Sequence, residues 1–210
     1  MKLLRAGWSA YRTAMMNYPL RTNVLTSGVS MSIGDGVAQS LELKHSGTAL
    51  SWSSLDLTRT AVAIGWNSLI FTPLFFVWFK RLDTWFPGTS PMTVFKKVVF
   101  NQMVVAVPIN GGFLAYTTLV EQVLNHGAQS VSSAGSEIAT RVETQLLEDV
   151  PGLFLRSTFL WIPVNTWNFL YVSPTFRVIP TILCSTVWSV YLSLTAHKRG
   201  EIVLVEEQRK

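Results

Sequence analysis

Seven polar residues lie inside otherwise apolar stretches of this chain: Asp35, Gln39, Arg59, Gln102, Asn165, Asn168 and Arg177. A carboxylate, a guanidinium or an amide in such a setting can do one of two jobs. It can line a polar path and choose solutes by charge and hydrogen bonding. It can also bond one helix to another, at ~0.6 kcal/mol for a typical interhelical contact. All seven are open to both readings. Asn165 and Asn168 stand three residues apart, so they share one helix face with Trp161. An ionised carboxylate in a bilayer costs at least ~2.5 kcal/mol, so Asp35 should face the protein interior or water and should have a partner. Arg59 and Arg177 are the candidates for that partner.

Catalysis is not expected. His45, His126 and His197 are far apart in the sequence, and no nucleophile, metal-ligand spacing or phosphate loop accompanies them. Each reads as a solvated residue at a membrane boundary. The Gly111-Gly112 pair fits neither a Walker nor a dinucleotide motif, and no cofactor or metal is implied. The single Cys184 cannot form an intramolecular disulfide, and its apolar surroundings suit a small buried residue. The net charge of +5 is scattered rather than gathered in a stripe, which argues against nucleic acid and places the cations beside lipid headgroups.

The elements that must position these residues follow from composition. Only 14% of the 210 residues are charged and the mean hydropathy is +0.32, values that favour an all-α integral membrane protein. A bilayer needs about 20 apolar residues per helical crossing. Four windows meet this length: 22–41, 60–79, 98–120 and 157–176, the first interrupted by Asp35. A fifth, 178–196, is shorter. The expectation is one membrane domain over residues 1–210, a bundle of four transmembrane helices with an amphipathic N-terminal helix and a short fifth apolar helix at the C-terminus.

Residues 1–17 carry Lys2, Arg5 and Arg12 without an acid, and Leu4, Trp8, Tyr11 and Met15 recur on one helical face. Such a helix suits the membrane interface and also resembles a mitochondrial targeting segment. In the first window Gly28, Ser32, Gly36 and Ser40 form a ridge of small residues where a second helix can approach. Gly65, Asn67 and Pro73 in the second window, and Pro108 and Asn110 in the third, mark bends or close-packing points. Residues 121–151 form a polar, acidic linker with five acids against Arg141, and Ile138, Val142, Leu146 and Val150 predict a helix within it. The connection holding Lys80, Arg81, Lys96 and Lys97 against Asp83 is basic, so the positive-inside rule puts it on the same side as the N-terminus. Pro174 and Pro180 bracket a hairpin turn that places Arg177 near headgroup depth.

These residues together resemble the family named after the Mpv-seventeen protein and the twenty-two-kilodalton peroxisomal membrane protein, and the likeness covers nearly the whole chain. It rests on Trp8, Tyr11, Tyr18-Pro19, Thr22, Gly28, Gly34-Asp35 and Gln39; on Asp56, Arg59, Gly65, Pro73, Trp78-Phe79, Lys96-Lys97, Gln102 and Pro108; and, most specifically, on Trp161, Asn168-Phe169, Arg177, Trp188 and Tyr191-Leu192-Ser193. Three positions depart from the family pattern: Asn101 precedes Gln102 where the family has Asp, and Pro163 and Pro174 are each displaced by one residue. The missing charge at Asn101 bears on charge selectivity and not on the fold. The resemblance implies a small helical protein of the mitochondrial inner membrane, or alternatively the peroxisomal membrane. It implies a channel for small solutes or a non-catalytic accessory subunit of a larger mitochondrial membrane complex. Membrane lipids and either further copies of the chain or that complex are the implied partners. The basic, acid-free N-terminus favours mitochondria. The C-terminal Gln208-Arg209-Lys210 differs from the Ser-Lys-Leu type of peroxisomal address, which membrane proteins need not use.

Overall fold

The computed structural model describes residues 2–47, 49, 51–127, 135–148 and 150–191, and every regular element among them is helical. The helices are α1 (Lys2–Asn17), α2 (Pro19–His45), α3 (Leu57–Trp85), α4 (Pro91–His126), α5 (Gly135–Glu148), α6 (Val150–Tyr171) and α7 (178–191). Two of them, α3 and α4, are long and apolar enough to cross a membrane, each with a window of mean hydropathy 1.6. In α4 only 12% of that window is buried, which leaves a long apolar surface facing outward. Water would penalise such a surface and hydrocarbon would not.

The chain divides into two compact units, one made of residues up to Phe76 together with those from Val178, the other of Val77–Arg177. In the first unit Pro19 separates α1 from α2, because Pro is tolerated at the first position of a helix and not inside one. The two helices then pack together: Met15 is fully buried, its sulfur accepts from Asn23 Nδ2 at 3.6 Å, and the Tyr11 hydroxyl lies 3.0 Å from Thr26 Oγ1. Trp8 stacks on Tyr11 and stays exposed. The side chain of Leu4 lies outside the described residues, as do Leu192, Ser193, His197 and Gln208-Arg209-Lys210, and the side chain of His126.

Helix α3 widens to a π turn over Gly65–Phe71. Pro73 supplies the reason. It has no N–H for the carbonyl four residues back and its ring crowds that carbonyl, so the preceding turn opens and Thr72 N reaches Asn67 O instead. The widened turn buries Trp66, Asn67, Ser68 and Phe71. The close approach expected along the small-residue ridge of α2 occurs at Gly28 alone among its glycines, and a tighter one falls off the ridge. Gly34 is where a Cβ would collide with Thr186 Cγ2 of α7, and beside it Ser30 Oγ lies 2.8 Å from Thr186 Oγ1. Gly28 does lie against α3, close to Ser68, but Gly36 has open space around it. Ser32, Gly36 and Ser40 instead line an open groove of about 570 Å³ with Ile33, Val37, Leu41, Ser51, Trp52 and Leu55.

In the second unit α4 pairs with α6, and Gln102 Nε2 donates to Thr158 Oγ1 of that helix at 2.7 Å. The α3–α4 hairpin is closed by aromatic rings: Trp78 stacks on Phe100, and Trp85 meets both edge-on. The Trp78 indole donates to Asn101 Oδ1 at 2.8 Å. Helix α5 occupies the stretch for which the four-residue spacing predicts a helix. Pro108 and Pro163 sit inside continuous helices.

Candidate functional site

Gln39 begins the first site. On the buried face of α2, one turn beyond Asp35, its amide is paired in both senses with the backbone of Asp56. Nε2 donates to Asp56 O at 3.0 Å and Oε1 accepts from Asp56 N at 2.7 Å. Asp56 in turn caps α3, accepting from Arg59 N at 2.9 Å. One glutamine therefore fixes where the next helix starts. That start determines the position of Arg59 and Thr60.

Asp35, 7% exposed in its side chain, collects the charges and donors so placed. Its Oδ1 accepts from Arg59 Nε at 2.9 Å, and its Oδ2 accepts from Thr60 Oγ1 at 2.5 Å and from Gln39 Nε2 at 2.8 Å. Arg59 extends onward to Glu42, its NH1 2.7 Å from Oε2. The cluster has two acids and one cation. A carboxylate with a guanidinium and two neutral donors around it fills three of its roughly four acceptor sites, which is what allows it to be buried. Of the two candidate partners for Asp35, Arg59 fills the role.

A second cluster lies in the other unit. Arg177, 3% exposed, follows the short 3-10 turn Pro174–Phe176 and precedes α7. Its NH1 donates to Asp83 Oδ2, its Nε donates to Val172 O at 3.1 Å, and its own carbonyl accepts from Asn168 Nδ2 at 2.8 Å. Lys97, 1% exposed, donates to Asp83 Oδ1 at 2.7 Å and to Gly88 O at 3.1 Å. Both cations also lie over the Phe169 ring, at 5.6 Å for Lys97 and 5.3 Å for Arg177. Two buried cations thus share one carboxylate and one aromatic ring.

Of the seven sequence candidates, Asp35, Gln39 and Arg59 come together in the first cluster, and Asn168 and Arg177 in the second. Gln102 bonds α4 to α6 apart from both. Asn165 is 2% exposed and its Oδ1 has no hydrogen-bond partner among the described residues. Sequence reasoning missed Glu42, Thr60, Asp83 and Lys97 as members of these sites. Asp83 had a usable signal: it is the only acid between Val77 and Val120, set among four cations. Thr60 had none, because a threonine near a helix start is common.

A buried polar seam also runs through the first unit. Asn23, Ser27, Asp35 and Gln39 on α2, Asn67, Ser68 and Thr72 on α3, and Thr181 and Ser185 on α7 are all buried. Ser185 Oγ donates to Asn67 Oδ1 at 3.5 Å, whereas Asn23 Oδ1, Ser68 Oγ and Thr72 Oγ1 have no partner among the described residues. Gln39 and Asn23 are sixteen residues apart, so at 1.5 Å per residue the seam follows α2 for about 24 Å, most of a bilayer's hydrocarbon thickness. No group of His, Cys, Asp and Glu suited to a metal occurs among the described residues.

The sequence model of the Mpv17 / PMP22 family matches residues 136–193. The chain is similar to the human mitochondrial inner membrane protein Mpv17, 28% identical over 91% of this chain and 98% of the relative. It is 27% identical to PXMP2/4 family protein 2 of Dictyostelium discoideum, over 90% of this chain and 91% of the relative. It is 25% identical to the Mpv17 of Danio rerio, over 91% and 97%. No solved structure matches. The Mpv17 relatives are named for the mitochondrial inner membrane, the compartment expected from the basic N-terminus. The match at the C-terminal signature and the end-to-end likeness to these relatives make the chain similar to the membrane proteins of the Mpv17 / PMP22 family.

Proposed function

We propose that this protein is a channel for small solutes in the mitochondrial inner membrane, built on four spanning helices with α1 at the interface, and that it carries out no catalysis. The observation that carries this reading is the polar seam of the first unit. Membrane helices gain little from burying polar groups that are left without partners, since each unpaired group costs free energy in a dry interior. Asn23, Ser68 and Thr72 offer unpaired oxygens deep in the unit, and water or a small polar solute would satisfy them. The Asp35–Arg59–Glu42 cluster at one end of the seam would then set the charge preference.

The test is reconstitution of the purified chain into proteoliposomes with measurement of solute flux, comparing wild type, Asp35→Asn and Arg177→Gln. Flux whose charge preference shifts in Asp35→Asn supports the reading. No flux of any small solute, together with silence in planar bilayers, defeats it.

A second reading, a non-catalytic accessory subunit of a larger mitochondrial membrane complex, is favoured by the open groove along Ser32, Gly36 and Ser40, a surface suited to a neighbouring helix. Native gels after mild extraction separate the two. A large co-migrating assembly favours the subunit, and a monomer or small homo-oligomer favours the channel.

A further inference from the structure

The end of the α3–α4 hairpin carries Lys80, Arg81, Lys96 and Lys97 against one acid, Asp83, a net of +3 from four cations and one carboxylate. The structure decides how that charge is distributed. Asp83 is engaged on the inside by Lys97 and Arg177, both nearly fully buried, so the carboxylate is not directed to the outer face. Arg81 on α3 and Lys96 on α4 are exposed cations, as is Lys80. Arg81 lies four residues before the end of α3 and Lys96 five residues after the start of α4. Both therefore stand about 6 to 8 Å inside the hairpin tip, at a common depth.

Each exposed cation heads an apolar stripe on its own helix. Below Arg81 on α3 is Val77, four residues away and exposed; below Lys96 on α4 are Val99 and Met103, three and seven residues away and exposed. The Trp78–Phe100 stack sits just beneath the cations, and Trp85 is half exposed at the tip, the arrangement by which aromatic rings mark headgroup depth. A cation above a lipid-facing apolar stripe matches a molecule with a phosphate at one end and hydrocarbon at the other. Free phosphate would have no use for the stripes.

We propose that this end of the hairpin binds the phosphate of an anionic phospholipid, with Arg81 and Lys96 holding the headgroup and the Val77 and Val99–Met103 stripes taking its acyl chains. A juxtamembrane cation near an anionic surface strengthens binding about fivefold, so two together give on the order of 30-fold.

The test uses the full chain in phosphatidylcholine micelles, with phosphatidylglycerol titrated in and retained lipid counted by native mass spectrometry. Wild type should retain phosphatidylglycerol in preference to phosphatidylcholine, R81Q/K96Q should need on the order of 30-fold more of it, and R81K/K96R should behave like wild type. Higher ionic strength should weaken the preference. Equal retention of the two lipids, unchanged retention in R81Q/K96Q, or displacement of the lipid by an equal concentration of inorganic phosphate would each overturn the proposal. These readouts do not depend on solute flux, so the proposal and the channel reading stand or fall separately.

Discussion

Arg59 Nε donates to Asp35 Oδ1 at 2.9 Å across the gap between α2 and α3, and the same guanidinium reaches Glu42 about two turns further along α2. The arginine thus clamps α3 to two points on α2. A point charge on a flexible stem cannot do both, since only the planar fork presents donors in several fixed directions.

The first prediction follows from that clamp. Arg59→Ala leaves Asp35 buried without its cation and should destabilise the chain by about 2 kcal/mol, between the values for exposed and buried pairs because Arg59 is one-third exposed. Arg59→Lys should recover only part of this. Asp35→Asn combined with Arg59→Gln should be milder than Arg59→Ala alone. Unfolding in detergent, followed by tryptophan fluorescence, checks the order.

The shared carboxylate of the second cluster gives an asymmetric prediction. Asp83→Asn leaves Lys97 and Arg177 facing each other uncompensated and should cost about 3 kcal/mol. Lys97→Met replaces one cation by a side chain of similar length while Arg177 still neutralises Asp83, and should cost about 1 kcal/mol or less. Equal costs measured by the same unfolding assay would contradict the shared-carboxylate arrangement.

Two glycines of α2 should respond in opposite ways. At Gly34 a methyl group meets Thr186 Cγ2, so Gly34→Ala should destabilise by about 1 to 3 kcal/mol. Adding Thr186→Ser removes that carbon, keeps the hydroxyl for Ser30, and should restore most of the loss. Gly36→Ala meets nothing and should gain up to about 1 kcal/mol of helix propensity. Melting temperatures of these three variants against wild type suffice.

Asn101 is 5% exposed and accepts from the Trp78 indole at 2.8 Å. Asn101→Leu should therefore cost about 1 kcal/mol by stranding a partly buried N–H, and Trp78→Phe in the same chain should return a large part of it. A double-mutant cycle reads the coupling directly. The asparagine at this position is thus fitted to a neutral donor.

Much of the fold was legible because its signals are local. The all-helical class, the apolar windows 60–79 and 98–120 and the spacing that predicts α5 each depend on residues within a few turns of one another, and hydropathy and helical period report on that range. The small-residue ridge was legible only at one end for the same reason: Gly28 does approach Ser68 of α3, but Gly36 has open space, since period alone does not say where along α2 its neighbours lie. The tight approach went to Gly34, on another face.

The site was legible only in part. The amino acids by themselves determined that this is a helical membrane protein, that Asp35, Gln39, Arg59, Asn168 and Arg177 stand in apolar surroundings, and that Asp35 needs a partner, because the cost of burying a charge is a property of the residue and its immediate segment. Tertiary structure alone decided that Arg59 pairs with Asp35 while Arg177 and Lys97 meet on Asp83. A charge pair forms where packed helices bring two side chains within about 4 Å, and that distance is set by register and packing across many residues of separation, which no local pattern encodes.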